Sequence, residues 1–480
     1  MAEKKKNGQK EIWFDILSVI LWTFFGYCLV HVFVSMAQTP KDVYFYAASA
    51  TLILLVLLYR RIKILNPLYL GYLAIYGGYA VRYLFIHRHD WEYQYAGMLA
   101  GKFATFGLFA LLILDMIFTG KYYKFTKRNK VLLMLFLLAF GVGTVLAGTY
   151  IPVIICPVFA LYTTQFSTVS WKKFVSHFAI GAYGTFLIYS FGSFILAPHT
   201  FYAGRYIGML NFPVAGGLIS VLGIYSAVFL WWIYLKKIKN VFLRFLILFV
   251  LAGYPLATLF VFSDRACILG VFCTLFFAFI FCFGKKEKTK LRAIIAGALV
   301  LTGIIAFIAV AVIAMNLGDA LIKEGEENQS FLVGTLSRFV TGSSVSVFEE
   351  GTLLNKLDYF CSYRPGIWYM AIKEIKFFGN SNLIFNLREG VSVHAHNTFI
   401  EWFLRTGWIG GSLLVAWFVT YLISALKKRK ESDELTLFTF MWSTFCIAFF
   451  MTERELWYDP PAFILLLLQV PLLKKFEDEK

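Results

Sequence analysis

Residues 241–284, "VFLRFLILFVLAGYPLATLFVFSDRACILGVFCTLFFAFIFCFG", decide the fold. Arg244, Asp264 and Arg265 are the only charged residues in that stretch. A helix needs about 20 mostly apolar residues to cross the hydrocarbon core of a bilayer. The stretch is long enough for two such helices, at 241–262 and 266–284, with a very short turn at Ser263-Asp264-Arg265 between them.

The same ruler, carried along the chain, predicts about fourteen spans. They fall at 13–36, 43–59, 66–86, 96–119, 131–148, 150–166, 174–197, 214–235, 241–262, 266–284, 291–315, 398–426, 434–452 and 460–473. Composition agrees with this reading. The chain is 59% hydrophobic and 15% charged, with mean hydropathy +0.70, whereas soluble domains are nearer half apolar and a quarter charged. The expected fold is all-α, one polytopic membrane domain over residues 1–480. Its start, "MAEKKKNGQKEIW", has no cleavage site before the first apolar run and reads as an uncleaved signal-anchor.

A net charge of +17 raises nucleic acid as a partner, but the basic residues form no domain or stripe. They lie in short clusters between apolar runs: Arg60-Arg61-Ile62-Lys63, "KYYKFTKRNK" from Lys121, Trp171-Lys172-Lys173, "KKIKN" from Lys236, "KKEKTK" from Lys285, "KKRK" from Lys427 and Lys474-Lys475. Each falls on the side of the lysine-rich N-terminus. One alternation satisfies every loop, so both termini are expected in the cytoplasm. The seven cysteines lie mostly in apolar runs and show no zinc or C-x-x-C spacing. No metal and no cofactor are expected.

One connection is long. Residues 316–397 form a polar outer loop, and the apolar periodicity within it predicts a small helical cap. The residues with chemistry gather on that outer side. Arg205 follows span seven in "HTFYAGRYIGMLNFP", Arg265 sits in the tight turn, Arg364 sits in "CSYRPGIWYMAIKEI", and His396 closes the long loop. Arginine in outward connections runs against the positive-inside bias. One arginine alone is accounted for by snorkelling to lipid phosphate. Three arginines with a histidine favour an anion site, because guanidinium groups hold phosphate oxygens bidentately and keep their charge. His31 and His177, inside apolar spans, read as helix–helix hydrogen-bonding residues, and the i, i+2 spacing of His87 and His89 suits no helical zinc site.

At residues 393–411, "VHAHNTFIEWFLRTGWIGG", Thr398 and Glu401 fit a capping box at a helix start, and Gly407 with Gly411 fits a small-xxx-small helix contact. Neither reading accounts for His396-Asn397. A neutral imidazole there has the basicity to accept a proton from a sugar hydroxyl.

His396-Asn397, nine residues, Gly407, two residues, Gly410 resembles the signature of the O-antigen ligase family, which also holds repeat-unit polymerases of O-antigens and capsules. "SDRACILG" is similar to that family's Ser-Arg-Gly-Ala turn, with Asp264 inserted and Ala266 in place of glycine. "GRYIGMLNFP" and "YRPGIWYMAIKEIKFFGNS" resemble two further arginine motifs, with the second Asn and the second Gly missing. The resemblance implies a C-type glycosyltransferase fold and a metal-independent, inverting transfer of glycan from undecaprenyl diphosphate to a glycan or lipid acceptor. In that picture His396 handles the acceptor proton, and Arg265 and Arg364 bind the diphosphate. Arg205 and Asn397 help to hold substrate. Expected partners are the lipid-linked donor, the acceptor, membrane lipids and other polysaccharide-assembly proteins, with no nucleic acid.

Two alternatives stand beside the ligase reading. A repeat-unit polymerase shares the chemistry and differs in its acceptor. A lipid-linked glycan flippase is a different class, marked by broken helices and ionisable groups at the midplane.

Overall fold

The computed structural model describes residues 2–34, 41–60, 70–71, 74, 171–202, 205–210, 213–234, 238–262, 264–282, 346–360, 363–379, 385–388, 391–393, 395–427 and 434–451. Those residues are mostly helical, with two short two-stranded hairpins. Among the described residues, four helices are long and apolar enough to cross a membrane, over Lys10–Cys28, Ser176–Leu196, Val214–Trp231 and Phe242–Phe262. The spans expected at 66–86, 96–119, 131–148, 150–166, 291–315 and 460–473 lie outside the described residues, apart from a few positions near 70. The chain divides into two compact units.

The first unit contains α1 (Ala2–Val34), α2 (Lys41–Arg60), α3 (Trp171–Leu196), the hairpin β1 (Phe201–Tyr202) with β2 (Arg205–Tyr206), α4 (Pro213–Ile233) and α5 (Val241–Phe262). Small residues set how closely these helices approach. A Cβ on Gly184 would meet the Thr23 hydroxyl at 2.8 Å, and one on Gly223 would meet Phe186 and Pro255 at about 3 Å. Between helices in lipid such contacts contribute through van der Waals packing, since moving from lipid to protein removes no apolar surface from water. The contacts also give direction. Trp22 reaches Tyr59 while the His31 ring meets Tyr44 at 4.0 Å, so α1 and α2 are antiparallel. Thr23 meets Gly184 and Tyr27 meets Tyr189, so α1 and α3 run parallel. Both directions are those that the basic-loop alternation requires.

Pro255 interrupts α5 from within. Proline has no N–H, so the carbonyl four residues earlier loses its helical donor. That carbonyl belongs to Leu251, and the Tyr183 hydroxyl of α3 donates to it at 2.9 Å. A helix defect in an apolar setting is thereby satisfied by its neighbour.

A second polar chain ties α1, α2 and α3 together. Trp22 Nε1 donates to the Tyr59 hydroxyl at 3.1 Å, which lies 2.9 Å from His177 Nδ1. His177 Nε2 is 3.2 Å from the Asp15 carboxylate, and Lys173 bridges Asp15 and Glu11 at 2.6 and 2.9 Å. Burial opposes the charge on Lys173, but its hydrogen bonds to Asp15 and Glu11 more than offset this and hold the ammonium above the usual lysine range. His177 thus makes the interhelical contact expected of it.

The second unit contains α6 (Arg265–Cys282), α7 (Leu353–Phe360), α8 (Arg364–Lys373), the hairpin β3 (Phe385–Arg388) with β4 (Val391–Val393), α9 (Thr398–Lys427) and α10 (Glu434–Phe450). Among the described residues, the long connection at 316–397 contributes α7, α8 and the hairpin, so a strand pair joins the expected helices. The span expected at 398–426 is two helical pieces. Gly407 breaks α9 with φ 70° and ψ −173°, a conformation open to glycine.

Candidate active site

Arg265, Arg364 and His396 each stand at the start of a helix, and each start is built differently. Asp264 precedes α6, buried, with Oδ1 accepting the Ala266 N–H at 3.2 Å and Oδ2 the Cys267 N–H at 3.3 Å. The acidic residue that departs from the resembled turn is therefore the N-cap of α6. Arg265 is the first helical residue.

Helix α8 has no side-chain cap of its own. Tyr363 occupies the cap position in the left-handed region (φ 63°), and Arg364-Pro365 begins the helix. The missing acceptor comes from α7. Asp358 Oδ1 accepts the Gly366 N–H at 2.6 Å, and Oδ2 accepts from the Ser346 hydroxyl at 2.6 Å. A Cβ at position 366 would lie 2.9 Å from the Asp358 carboxylate and 2.8 Å from Val347, so glycine is what lets that carboxylate reach the helix. Asp358 thereby fixes where Arg364 stands.

Helix α9 starts with Asn397. Its Oδ1 accepts the Ile400 N–H at 3.1 Å, its backbone carbonyl accepts from Glu401, and Nδ2 donates to the Met451 carbonyl at 3.0 Å. This corrects the Thr398–Glu401 capping box: Thr398 is already helical, and the fully buried Glu401 lies one position too far along to close the box. Both ends of the Asn397 amide are committed to protein, so its contribution to the site is position. On the other side of His396, the Trp368 indole donates to the Ala395 carbonyl at 2.8 Å, and Ala395 is buried among Ile367, Ala371 and Leu404. His396 is held between these anchors with φ 45°. A non-glycine residue in such a region costs roughly 1–3 kcal/mol and persists where its surroundings over-determine it.

Helix register brings the three starts to one end of the unit. Gly270 lies against Phe445 and the Thr274 hydroxyl bonds the Met441 carbonyl, so α6 and α10 are antiparallel. Extending that register backwards puts Arg265 level with the last turn of α10. Asn397 ties to Met451 just beyond that turn, and the Phe399 and Phe450 rings meet at 6.3 Å. Helix α8 runs parallel to the first piece of α9, because Trp368 meets Ala395 while Phe377 and Gly379 meet Gly407 and Arg405. Arg364, four residues before Trp368, therefore stands about one turn beyond His396 in the same direction. Helix N-termini carry partial positive charge that favours anions. Asp264 and Asp358 supply side-chain acceptors to two of the three starts.

Arg205 is in β2, paired with Tyr202, and belongs to the other unit. His87, His89 and His394 lie outside the described residues. Among the described residues no group of three or more His, Cys, Asp or Glu side chains gathers as a metal site would.

Asp358 is absent from the sequence reading, and Trp368 enters it only as the tryptophan of an arginine motif, without a role. The signal for Asp358 is indirect: an Arg-Pro-Gly helix start with an aromatic at the cap position needs an acceptor from elsewhere.

The glycine contact expected at Gly407 and Gly411 is also corrected. Gly407 receives the backbone of Phe377 and Gly379, while Gly410 and Gly411 fold against Thr406 and Phe403 of the preceding piece. The nine residues separating Asn397 from Gly407 are the first piece of α9, cap to break.

Comparison with known protein families, curated proteins and solved structures finds no match.

Proposed function

We propose that this chain is a membrane glycosyltransferase of the O-antigen ligase and polymerase kind, acting at the outer face of the cytoplasmic membrane in cell-surface polysaccharide synthesis. The observation that carries the reading is the gathering of Arg265, Arg364 and His396 at one end of one unit, each on a braced helix start. The donor is a glycan on undecaprenyl diphosphate and the acceptor is a hydroxyl of a glycan or lipid. The acceptor oxygen attacks the anomeric carbon from the face opposite the diphosphate, its proton passes to the His396 imidazole, and the carbon–oxygen bond to phosphate breaks with inversion. The electron pair leaves on the diphosphate, where Arg265 and Arg364 stabilise the growing charge. Asn397, Asp358 and Trp368 hold these groups in place. The lipid diphosphate is already activated, so the step needs no nucleotide, and the family resemblance implies that it needs no metal.

Reconstitution with undecaprenyl-diphosphate glycan and candidate acceptors, read by product mass, tests this. Wild type transfers without added metal or nucleotide, and His396→Ala and Arg265→Ala lose transfer while still folded. Full transfer by both variants sinks the mechanism. A product that is a longer lipid-linked glycan assigns polymerase rather than ligase, and movement between leaflets without covalent transfer assigns a flippase.

A further inference from the structure

Helix α7 is inside out by the standards of a water-exposed domain. On α7, Asn355 and Asp358 are fully buried while Leu353 is 65% exposed and Leu354 56%. The buried polar pair is used up within the unit: Asn355 Nδ2 donates to the Phe348 carbonyl, and Asp358 takes Ser346 and Gly366. On α8 and just after it, Ile372, Phe377 and Phe378 point outward, Phe378 at 68%. The buried polar side of α7, together with the apolar residues exposed on both helices, is the informative departure from ordinary surfaces, and it marks an interaction site.

What covers the face follows from what it adjoins. The Phe377–Gly379 backbone lies against Gly407, so Phe377 and Phe378 sit beside the head of the second piece of α9. That piece carries Trp408 and Ile409 at its head and Val415, Val419 and Ile423 below them, all exposed. The positions 415, 419 and 423 recur every four residues along one face of a helix in a membrane protein, so this stripe faces lipid. The outward face of α7 and α8 continues it. Exposed Lys373 and Lys376 punctuate the patch, and Lys373 Nζ donates to the Tyr369 hydroxyl at 2.6 Å. Aromatic and lysine side chains bordering an apolar face are the composition of a segment seated at the membrane–water boundary, its apolar side several ångströms deep.

We propose that the segment from α7 to Phe378 lies in the membrane surface at the N-terminal end of α9, with its outward face covered by lipid acyl chains, and does not stand in water above the bilayer. This holds whatever reaction the unit performs.

Site-specific photocrosslinking of the full chain in phosphatidylethanolamine–phosphatidylglycerol vesicles tests the proposal. The replacements are Phe378→p-benzoylphenylalanine and Leu353→p-benzoylphenylalanine, with Val419 as the lipid-facing reference and Glu350 as the exposed polar one. Lipid adducts at positions 378 and 353, as at 419, with none at 350, are expected. No adduct at 378 and 353 while 419 reacts, or crosslinks there to protein in place of lipid, overturns it. Hydroxyl-radical footprinting of the unmodified protein in the same vesicles removes dependence on the replacements. Leu353, Leu354, Phe377 and Phe378 should stay as unoxidised as Val419, and oxidation of these four at the level of the Glu350 loop counts against the proposal.

Discussion

His396 combines two properties that pull apart in free energy. Its backbone sits at φ 45°, where a side chain is disfavoured, and its imidazole is the group proposed to take the acceptor proton. Glycine removes the backbone conflict and the chemistry together. Equilibrium unfolding in mixed detergent should therefore find His396→Gly more stable than His396→Ala by roughly 1 kcal/mol, although glycine in place of alanine ordinarily costs about 0.5–1 kcal/mol. Both variants should be inactive in transfer. An Ala variant at least as stable as the Gly variant would show that the left-handed backbone stores no strain. None of this was legible in "VHAHNTF": the histidine could be singled out, but its conformation follows from Trp368 and Met451, 28 positions before and 55 after it.

Helix interruptions make the element-scale predictions. Tyr183 donates to the carbonyl that Pro255 leaves without its helical partner. In a Pro255→Ala background the helix supplies that donor itself. Tyr183→Phe should thus cost about 1 kcal/mol in the wild-type chain and close to nothing with Ala at 255, a coupling that a double-mutant cycle measures. Equal costs in both backgrounds would leave the tyrosine with another role. At Gly407 the break in α9 combines positive φ with backbone contact to Phe377 and Gly379. Gly407→Ala meets both obstacles and should destabilise by about 3 kcal/mol or more, seen as loss of the monodisperse folded fraction in detergent. Gly411→Ala, whose nearest obstacle is the Phe403 ring, should cost less because a side chain moves more easily than backbone. The glycines were visible in sequence as a pair suited to helix contact. That one is a hinge and the other packs on its own helix depends on the loop after α8.

At the scale of the molecule, the directions of α1, α2 and α3 and of α6 and α10 agree with the alternation drawn from the basic loops, and that alternation makes a prediction about sides. Single cysteines replacing His199 and Glu350 should react with a membrane-impermeant maleimide added outside intact cells. One replacing Asn240 should react only after permeabilisation. Reaction of Asn240 from outside would reverse or break the assumed topology, and with it the outer placement of the proposed site.

Sequence by itself determined the membrane class, the helix positions at 171–196, 213–233, 241–262 and 434–450 to within a few residues, and the candidate cations and histidine. These are local consequences of apolar run length and charge, and need no partner to be read. Tertiary structure decided which acceptor caps each helix start, that Asn397 and not Thr398 opens α9, that Gly407 is a break, and that Arg265, Arg364 and His396 share an end. It also turned the apolar side of α7 outward. Each of these depends on groups far apart in the chain meeting in space, and only the packed helices bring them together.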